Sequence, residues 1–341
     1  MASNTTTNGT FRSRRILVIG GTLFIGRRLV CELVKAGHEV TVMHRRAEHD
    51  LGRKVANLTA DRNDPAAVRA ALAGKGFEVV FDNVYDWERG TTAAHVESTA
   101  KAAGDRLHRY VFMSSVAAYG DGLNHHEGDG LAPDDHPDLY VRNKAMSERA
   151  LFRLHQRHGC PIVTLRPPYI YGPENPFYRE AFFWDRLRDG RPIILPGDGR
   201  RLMQFCYVKD LVAACLRALE EPNAVGHAFN IANSRPITQQ DLVHALAEAA
   251  GKKPQLIRMP RERILRAGGH PMGPKLYFGM YYDLPPITQV VNKAQRVLGL
   301  KATPLQDGLK ETYRWWSRNN PFPAPDYSFE DGLLAHVPAL G

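Results

Sequence analysis

The segment that most restricts the fold is residues 15–30, where an apolar run ends abruptly in two glycines. Residues 16–19 are typical of a buried strand, Gly20 and Gly21 form a tight turn, and Gly26 opens a helical pattern of apolar residues. This order begins a dinucleotide-binding unit, because glycines let the backbone approach a pyrophosphate and the helix N-terminus offers free N–H groups. The usual fingerprint has a further glycine where this chain has Leu23, so a strand–turn–helix that binds no nucleotide is the alternative.

Strand and helix patterns continue to alternate beyond this segment. Strand patterns cover residues 39–43, 58–61, 77–83, 109–115 and 160–165, and helical patterns cover 64–72, 91–103 and the stretch after 138. Such alternation predicts the α/β class, with a doubly wound parallel sheet of the Rossmann type.

The later part of the chain differs, because a proline-dense corner at residues 166–173 leads into mainly helical patterns. These patterns predict a smaller, mostly helical C-terminal domain that binds the substrate. We expect a disordered tail at 1–13, a dinucleotide-binding domain at 14–170 with a returning segment at about 203–232, a substrate-binding domain at 171–202 and 233–320, and a surface tail at 321–341.

The composition excludes several classes of protein. Of 341 residues, 43% are hydrophobic and 24% charged, and no apolar run approaches the roughly 18 residues that a membrane span needs. The polar N-terminus lacks the apolar centre of a signal peptide, and the four cysteines lack metal-ligand spacing. We therefore expect a cytoplasmic protein with free buried thiols, no bound metal and no membrane partner. The net charge of +9 is dispersed, so a phosphate-bearing ligand explains it as well as RNA does, and nucleic acid is not the expected partner.

Arg45 and Arg46 follow the second strand, at the position that distinguishes the two nicotinamide dinucleotides. An acidic residue here would bind the adenosine ribose hydroxyl of NAD, whereas an arginine would neutralise the 2′-phosphate of NADP. Because no acid is present, the sequence favours NADP, with two solvent-facing arginines as the alternative.

Three motifs give the chain a resemblance to a known family: Gly20-Gly21-Thr22 with Gly26, Ser115 within residues 114–120, and Tyr140 followed four residues later by Lys144. In this order and spacing, the chain resembles the extended short-chain dehydrogenases/reductases, most of all their NAD-dependent epimerase/dehydratase branch. Similar motifs at 165–173, 207–210 and 293–309 extend the resemblance over about residues 14–318.

The resemblance implies catalysis by Ser115, Tyr140 and Lys144, where the tyrosine exchanges a proton with a substrate hydroxyl while hydride moves to or from nicotinamide. A free tyrosine has a pKa of about 10, and a nearby ammonium, here Lys144, would favour the phenolate. Lys144 would also hold the nicotinamide ribose, and Ser115 would orient the reacting oxygen. The implied cofactor contacts are Gly20, Thr22, Phe24, Ile25 and Gly26 at the pyrophosphate, Asp61 and Arg62 by the adenine, Asn83 near the adenine ribose, Pro167 by the carboxamide, and Arg45, Arg46, Tyr140 and Lys144.

Three functions stay open at this point: a sugar-nucleotide epimerase, an NADPH-dependent reductase or dehydrogenase of a non-nucleotide substrate, and a non-catalytic RNA-binding relative. The overall resemblance favours the epimerase, and a homodimer is expected. Residues 116–117 are Val-Ala where a 4,6-dehydratase needs an acidic pair, so dehydration is set aside.

The substrate positions depart from the epimerase pattern. Met203 and residues 280–282 replace the arginines that usually grip the diphosphate of a nucleotide sugar, although Arg200, Arg201 or Arg258 would substitute for them. If none does, the substrate is apolar or aromatic, and the aromatic residues of 169–184 and 281–282 would line its pocket unless they pack between the domains. The expected substrate contacts are Tyr169, Met203 and Tyr281.

Overall fold

A computed structural model describes residues 12–335 of the chain and contains one large sheet with four small two-stranded sheets. The strands, in chain order, are β1 (Arg15–Ile19), β2 (Glu39–His44), β3 (Val55–Thr59), β4 (Val79–Asp82), β5 (Arg109–Met113), β6 (Gly122–His125), β7 (Ile162–Arg166), β8 (Tyr169–Tyr171), β9 (Ile193–Pro196), β10 (Leu202–Met203), β11 (Phe205–Tyr207), β12 (His227–Asn230), β13 (Ile237–Thr238), β14 (Leu256–Met259) and β15 (Ile287–Gln289).

Helices connect these strands and cover both faces of the large sheet. They are α1 (Phe24–Lys35), α2 (Pro65–Leu72), α3 (Ala93–Ala102), α4 (Leu139–His158), α5 (Glu180–Arg188), α6 (Val208–Glu220), α7 (Gln239–Ala249), α8 (Arg261–Arg266), α9 (Asn292–Leu298), α10 (Leu305–Asn319) and α11 (Ser328–Leu334), with 3-10 turns at Val116–Tyr119 and Pro222–Ala224.

The large sheet has seven strands in the order β12-β7-β5-β4-β1-β2-β3, and every neighbouring pair is parallel. Strands β4, β5 and β7 are fully buried, as expected for a parallel sheet covered by helices on both faces. The strand order reverses between β1 and β4, and a crevice forms at such a switch point outside the carboxyl ends of the strands. The predicted α/β class with a doubly wound parallel sheet is confirmed.

A separate apolar core lies in the C-terminal part of the chain. It combines aromatic side chains of 171–207 and 277–282 with aliphatic residues of α7 and of residues 256–264. Phe24 of α1 also packs into this core, so the glycine turn lies where the sheet meets the second core.

The two ends of the chain depart from the expected tails. Residues 1–11 of the predicted disordered segment lie outside the described residues, whereas Ser13 donates to the Gly37 carbonyl and Arg12 pairs with Glu78. Residues 321–335 are more than a surface tail, because α11 buries Leu333 and forms a buried ion pair between Glu330 and Arg186. Proline content after 320 hid this helix from sequence inspection, since it suggested irregular chain.

The expectation that the cysteine thiols are buried needs correction. The thiols are free, as expected, but Cys31 is exposed and Cys160 is half-buried. Within residues 12–335, no helix combines the length and the apolarity needed to cross a bilayer.

Candidate functional site

The β1–α1 turn places its glycines where larger residues do not fit. Gly20 has a φ of +79°, and a Cβ on it would lie 2.3 Å from the Val84 side chain. A Cβ on Gly26 would lie 1.9 Å from the Gly20 carbonyl oxygen, so the absence of a side chain lets α1 pack directly on the strand end. Leu23, at the N-cap of α1, is 68% exposed and makes no side-chain cap, which leaves N–H groups of the first turn available to an anion.

The remaining residues of this turn divide by what their side chains do. Thr22 is half-buried, and Ile25 is half-buried against the sheet core. The Phe24 side chain is buried in the second core, and its φ of 41° is unusual for a residue with a Cβ. Phe24 therefore offers only its backbone to a pyrophosphate.

Asn83, which directly follows β4, supports the expectation of a cofactor in this crevice. Its backbone N–H donates to the Ile19 carbonyl, which anchors it beside the glycine turn. Its side-chain oxygen and nitrogen are both buried and have no hydrogen-bond partner among the described residues. Buried amide atoms without a partner are costly, so a polar ligand that pairs with them fits here. Together with the glycine turn, Asn83 fits a bound NAD(P).

The far end of the crevice carries a charge cluster. Arg89 bridges Asp61 and Asp86, with nitrogen–oxygen distances of 2.8 and 2.6 Å. Arg45 lies 3.9 Å from Asp86 and is largely exposed, as is Arg46. This cluster holds the expected adenine residue Asp61 and Arg45, one of the two arginines expected at the adenosine ribose.

The Arg62 side chain is bound within the sheet domain. Arg62 is buried and its guanidinium donates to both carboxylate oxygens of Asp82, at 3.1 and 2.6 Å, and also to Thr99 and the His95 carbonyl. Tyr110 donates to the same carboxylate. Arg62 therefore stabilises the sheet domain, and only its backbone is free to approach an adenine.

The expected catalytic residues converge at the carboxyl edge of the sheet. Ser115 caps the 3-10 turn after β5, where its Oγ accepts from the Ala117 N–H, and the Val116 N–H donates to the Pro167 carbonyl after β7. Tyr140 and Lys144 lie one turn apart on α4, whose N-cap is Asp138. The Ser115 side chain interacts with the Tyr140 hydroxyl and lowers the pKa of the phenol. The Lys144 Nζ lies 5.8 Å from the Tyr140 ring centre and donates to the Met113 carbonyl at 2.6 Å.

The protonation states differ from those that the motif suggested. Burial raises the pKa of Tyr140 to about 12, against smaller downward effects of Ser115 and Arg179. Burial lowers the pKa of Lys144 to about 8. Lys144 is not among the main influences on the pKa of Tyr140, because burial has the largest effect on both groups and favours their neutral forms.

A buried polar network below the catalytic residues was missed in the sequence. Arg166 and Glu148 form a paired contact with distances of 2.9 and 2.6 Å, and Ser114 donates to the same carboxylate at 2.5 Å. Arg166 also donates to Tyr119. Glu148 follows Lys144 by four residues, so its position on the same face of α4 was the available signal.

Two aromatic rings contact Tyr140, and two more contact one of those rings. We call them the aromatic shell: Tyr85, Trp87, Phe177 and Tyr281. Trp87 stacks on Tyr140 with ring centres 4.7 Å apart, and Tyr85 meets Tyr140 edge-on at 4.8 Å. Tyr281 and Phe177 lie within 6.4 Å of Trp87. Sequence reasoning identified Tyr281 and Phe177 but missed Tyr85 and Trp87, which lie in the loop after β4.

The other two expected substrate residues differ in their positions. The Tyr169 hydroxyl donates to the Tyr281 carbonyl at 2.9 Å, so Tyr169 supports the aromatic shell. Met203 is buried within the second core, so a direct contact between its side chain and a substrate is not supported.

The three arginines considered as diphosphate ligands, Arg200, Arg201 and Arg258, differ in whether their side chains have partners. Arg201 and Arg261 both bind the buried carboxylate of Asp283, at 3.3 and 2.6 Å. Tyr277 donates to the same carboxylate at 2.6 Å. The third candidate, Arg258, donates to Gln240, and Arg200 is exposed.

Cavity size does not locate this site. A cavity of about 900 Å³ lies in the C-terminal part, lined mainly by apolar residues such as Tyr178, Phe322 and Leu333, and contains none of the catalytic side chains. Over residues 12–335, no three His, Cys, Asp or Glu side chains are grouped so as to hold a metal ion.

Comparisons with known proteins agree with this geometry. The family model described as "NAD dependent epimerase/dehydratase family" matches residues 16–232. The chloroplast stem-loop binding protein of 41 kDa b from Arabidopsis thaliana is 32% identical, over 94% of this chain and 84% of that protein.

Two solved structures share the fold. An epimerase of Methanothermobacter thermautotrophicus superposes with a TM-score of 0.72 at 20% identity, covering 91% of this chain and 94% of the other. The UDP-glucuronic acid 4-epimerase of Bacillus cereus, in complex with UDP-glucuronic acid and NAD, superposes with a TM-score of 0.70 at 20% identity, covering 89% and 99%.

The buried ammonium of Lys144 leads to a testable pH dependence. The pKa of Lys144 is about 8 in the folded protein, whereas the ordinary value for a lysine is 10.5. Between these pH values the unfolded chain keeps a proton that the folded protein has released. The stability of the wild type therefore rises with pH in this window, relative to Lys144→Met, by about 1.4 kcal/mol per pH unit. Below about pH 8 the difference is constant.

Urea unfolding of the cofactor-free proteins from neutral to alkaline pH measures this effect. The exposed residue Lys253 provides the control, since Lys253→Met should leave the slope unchanged. A wild-type–Lys144→Met difference that does not vary with pH would show that the ammonium is not desolvated.

Proposed function

The chain belongs to the NAD-dependent epimerase/dehydratase family, and we propose that it is an NAD(P)-dependent oxidoreductase acting at a secondary alcohol or ketone carbon. The observation that carries this proposal is the convergence of Ser115, Tyr140 and Lys144 beside the glycine turn and the unpartnered Asn83 amide. A binding protein without catalytic activity has no need of a phenol placed between a serine hydroxyl and a buried ammonium.

Each catalytic residue has a separate role in this proposal. Ser115 donates a hydrogen bond to the substrate oxygen, since its own Oγ already accepts from the Ala117 N–H. Tyr140 transfers the proton to or from that oxygen. Lys144 binds the nicotinamide ribose, and Asn83 and the turn N–H groups bind the remainder of the dinucleotide. When bound, the cofactor supplies the hydride donor or acceptor and, in its oxidised form, a positive ring charge.

The protonated state of the Tyr140 hydroxyl suits the reductive direction. With a pKa near 12, the hydroxyl keeps its proton at neutral pH and acts as an acid towards a carbonyl oxygen. Met203 stands at one of the usual diphosphate positions, and Arg201 and Arg261 are paired with Asp283. We therefore propose a ketone reductase or alcohol dehydrogenase with an apolar or aromatic substrate as the first choice.

Sugar-nucleotide epimerisation is the second candidate. It is favoured by relatives and neighbours whose names state UDP-sugar reactions, including the Bacillus cereus enzyme. The two reactions differ in cofactor release, because an epimerase regenerates its dinucleotide within each cycle. A homodimer and a cytoplasmic location stay predictions.

RNA binding is the least favoured function. The Arabidopsis relative is named for stem-loop binding, and the net charge of +9 is compatible with such a partner. An RNA site, however, would not need the catalytic arrangement at the end of β5 and the start of α4.

Removing the Tyr140 hydroxyl tests the proposed mechanism. Tyr140→Phe keeps the ring contacts with Trp87 but loses the transferable proton, so we expect turnover to fall by about 10²–10⁴-fold while NAD(P)H affinity is unchanged. Turnover is followed by absorbance of the reduced nicotinamide with a panel of aryl ketones, keto acids and a UDP-4-keto sugar. Tyr313→Phe, in the second core, is the matched control, and wild-type turnover by Tyr140→Phe would refute the mechanism.

The protein's own bound nucleotide distinguishes the two reactions. For the proposed reductase, we expect protein purified without added cofactor to release little dinucleotide on denaturation, as measured by mass spectrometry. Release of one dinucleotide per chain would instead support the epimerase, because its cycle needs no exchange of cofactor.

The Arg45 and Arg46 side chains test the preference for NADP. Since both are exposed at the end of β2, we expect the double substitution Arg45→Ala, Arg46→Ala to weaken NADPH binding about tenfold or more and NADH binding little. Fluorescence titration measures both affinities, with Arg53→Ala as the control for loss of exposed positive charge. Equal effects on the two dinucleotides, or none, would remove the proposed preference.

A further inference from the structure

We infer that Arg179 is an anion-binding residue of the substrate pocket, so that the substrate carries one carboxylate beside an apolar or aromatic body. This inference rests on the proposed function, because it places the substrate at the same site. Arg179 directly precedes α5 and was not among the residues expected from the sequence.

Aromatic rings hold the Arg179 side chain in place. Its guanidinium carbon lies 4.5 Å from the ring centre of Phe177 and 5.3 Å from that of Tyr281, two members of the aromatic shell. Tyr169 and Tyr282 lie at 5.6 and 5.9 Å. Contacts between a cation and ring faces fix its position and use little of its hydrogen-bonding capacity.

The guanidinium lacks a charged partner. Its Nε is buried and has no hydrogen-bond partner, and its single hydrogen bond runs from Nη1 to the Ile170 carbonyl at 3.4 Å. Among residues 12–335, no carboxylate oxygen lies within 4 Å of its nitrogens. A partly buried cation with unused donors is unfavourable alone and is stabilised by a ligand that accepts from it.

Glu180, the next residue in the chain, interacts electrostatically with Arg179, but its carboxylate oxygens are bound elsewhere. Asn175 donates to one oxygen at 2.9 Å and the Tyr282 hydroxyl donates to the other. Burial raises the pKa of Glu180, which weakens its capacity to neutralise Arg179. The N-terminus of α5 adds a partial positive charge at the same place.

The location of Arg179 relates it to the reacting carbon. Phe177 and Tyr281 contact both Arg179 and Trp87, and Trp87 stacks on Tyr140. The positive charge of Arg179 also lowers the pKa of Tyr140, against the larger effect of burial. One layer of aromatic rings therefore separates an anionic group bound to Arg179 from the substrate carbon whose oxygen exchanges a proton with Tyr140.

A single carboxylate fits this site better than a diphosphate. One guanidinium offers two parallel N–H donors to a planar carboxylate and balances one negative charge. A diphosphate would need further cations, and the nearby Arg201 and Arg261 are bound to Asp283. The flanking rings suit an apolar or aromatic substrate body.

Calorimetric titration of the full chain with benzoate, its neutral analogue benzamide, and phenyl phosphate tests the inference. We expect the wild type to bind benzoate about 10- to 100-fold more tightly than benzamide, and more tightly than phenyl phosphate. Arg179→Met should abolish the preference for benzoate and leave benzamide affinity unchanged, whereas Arg179→Lys should keep part of it. The exposed residue Arg235 provides the control variant Arg235→Met, which should behave as the wild type.

Several outcomes would overturn the inference: no benzoate binding by the wild type, an unchanged benzoate preference in Arg179→Met, or equal loss of benzoate and benzamide, which indicates a packing role. Tighter binding of phenyl phosphate would assign a phosphoryl subsite instead. These measurements use neither cofactor nor turnover, so they separate a failure here from a failure of the Tyr140 mechanism.

Discussion

The buried ion pair between Glu148 and Arg166 joins the three elements on which the site depends. Glu148 lies on α4, which also carries Tyr140 and Lys144, while Arg166 ends β7 and Ser114 at the end of β5 donates to the same carboxylate. Such a pair contributes modestly to net stability, but removal of one partner leaves a buried charge. Its main effect is therefore geometric: the tyrosine, the lysine and the serine turn keep one relative position because their supports share a carboxylate.

Local patterns were sufficient to predict the sheet and to single out the candidate catalytic residues. The glycines of the β1–α1 turn and the spacing of Tyr140 and Lys144 depend on neighbouring residues in sequence, so they can be recognised without a structure. The Arg62–Asp82 pair and the position of Met203 in the second core depend on contacts between distant segments, so the sequence did not indicate them. The sequence did not indicate Arg179 or Trp87 for the same reason, since no short motif marks them. For Glu148, the spacing of four residues from Lys144 was the available signal.

The electrostatic character of the site also comes from tertiary structure. From sequence, a lysine four residues after a tyrosine suggests an ionised phenol. In the folded protein, burial acts on both groups in the direction of neutrality, raising the pKa of Tyr140 and lowering that of Lys144. A proton donor in an apolar aromatic surrounding suits a carbonyl substrate.

Helix α11 has a consequence for the order in which the protein is assembled during synthesis. Its Glu330 pairs with Arg186, 144 residues earlier, and its Leu333 completes the second core. The last strand of the seven-stranded sheet, β12, ends at Asn230. A nascent chain on the ribosome therefore has all strands of the sheet well before the second core can close, and in that interval the unfinished apolar surface of 171–207 is open to chaperones and to aggregation.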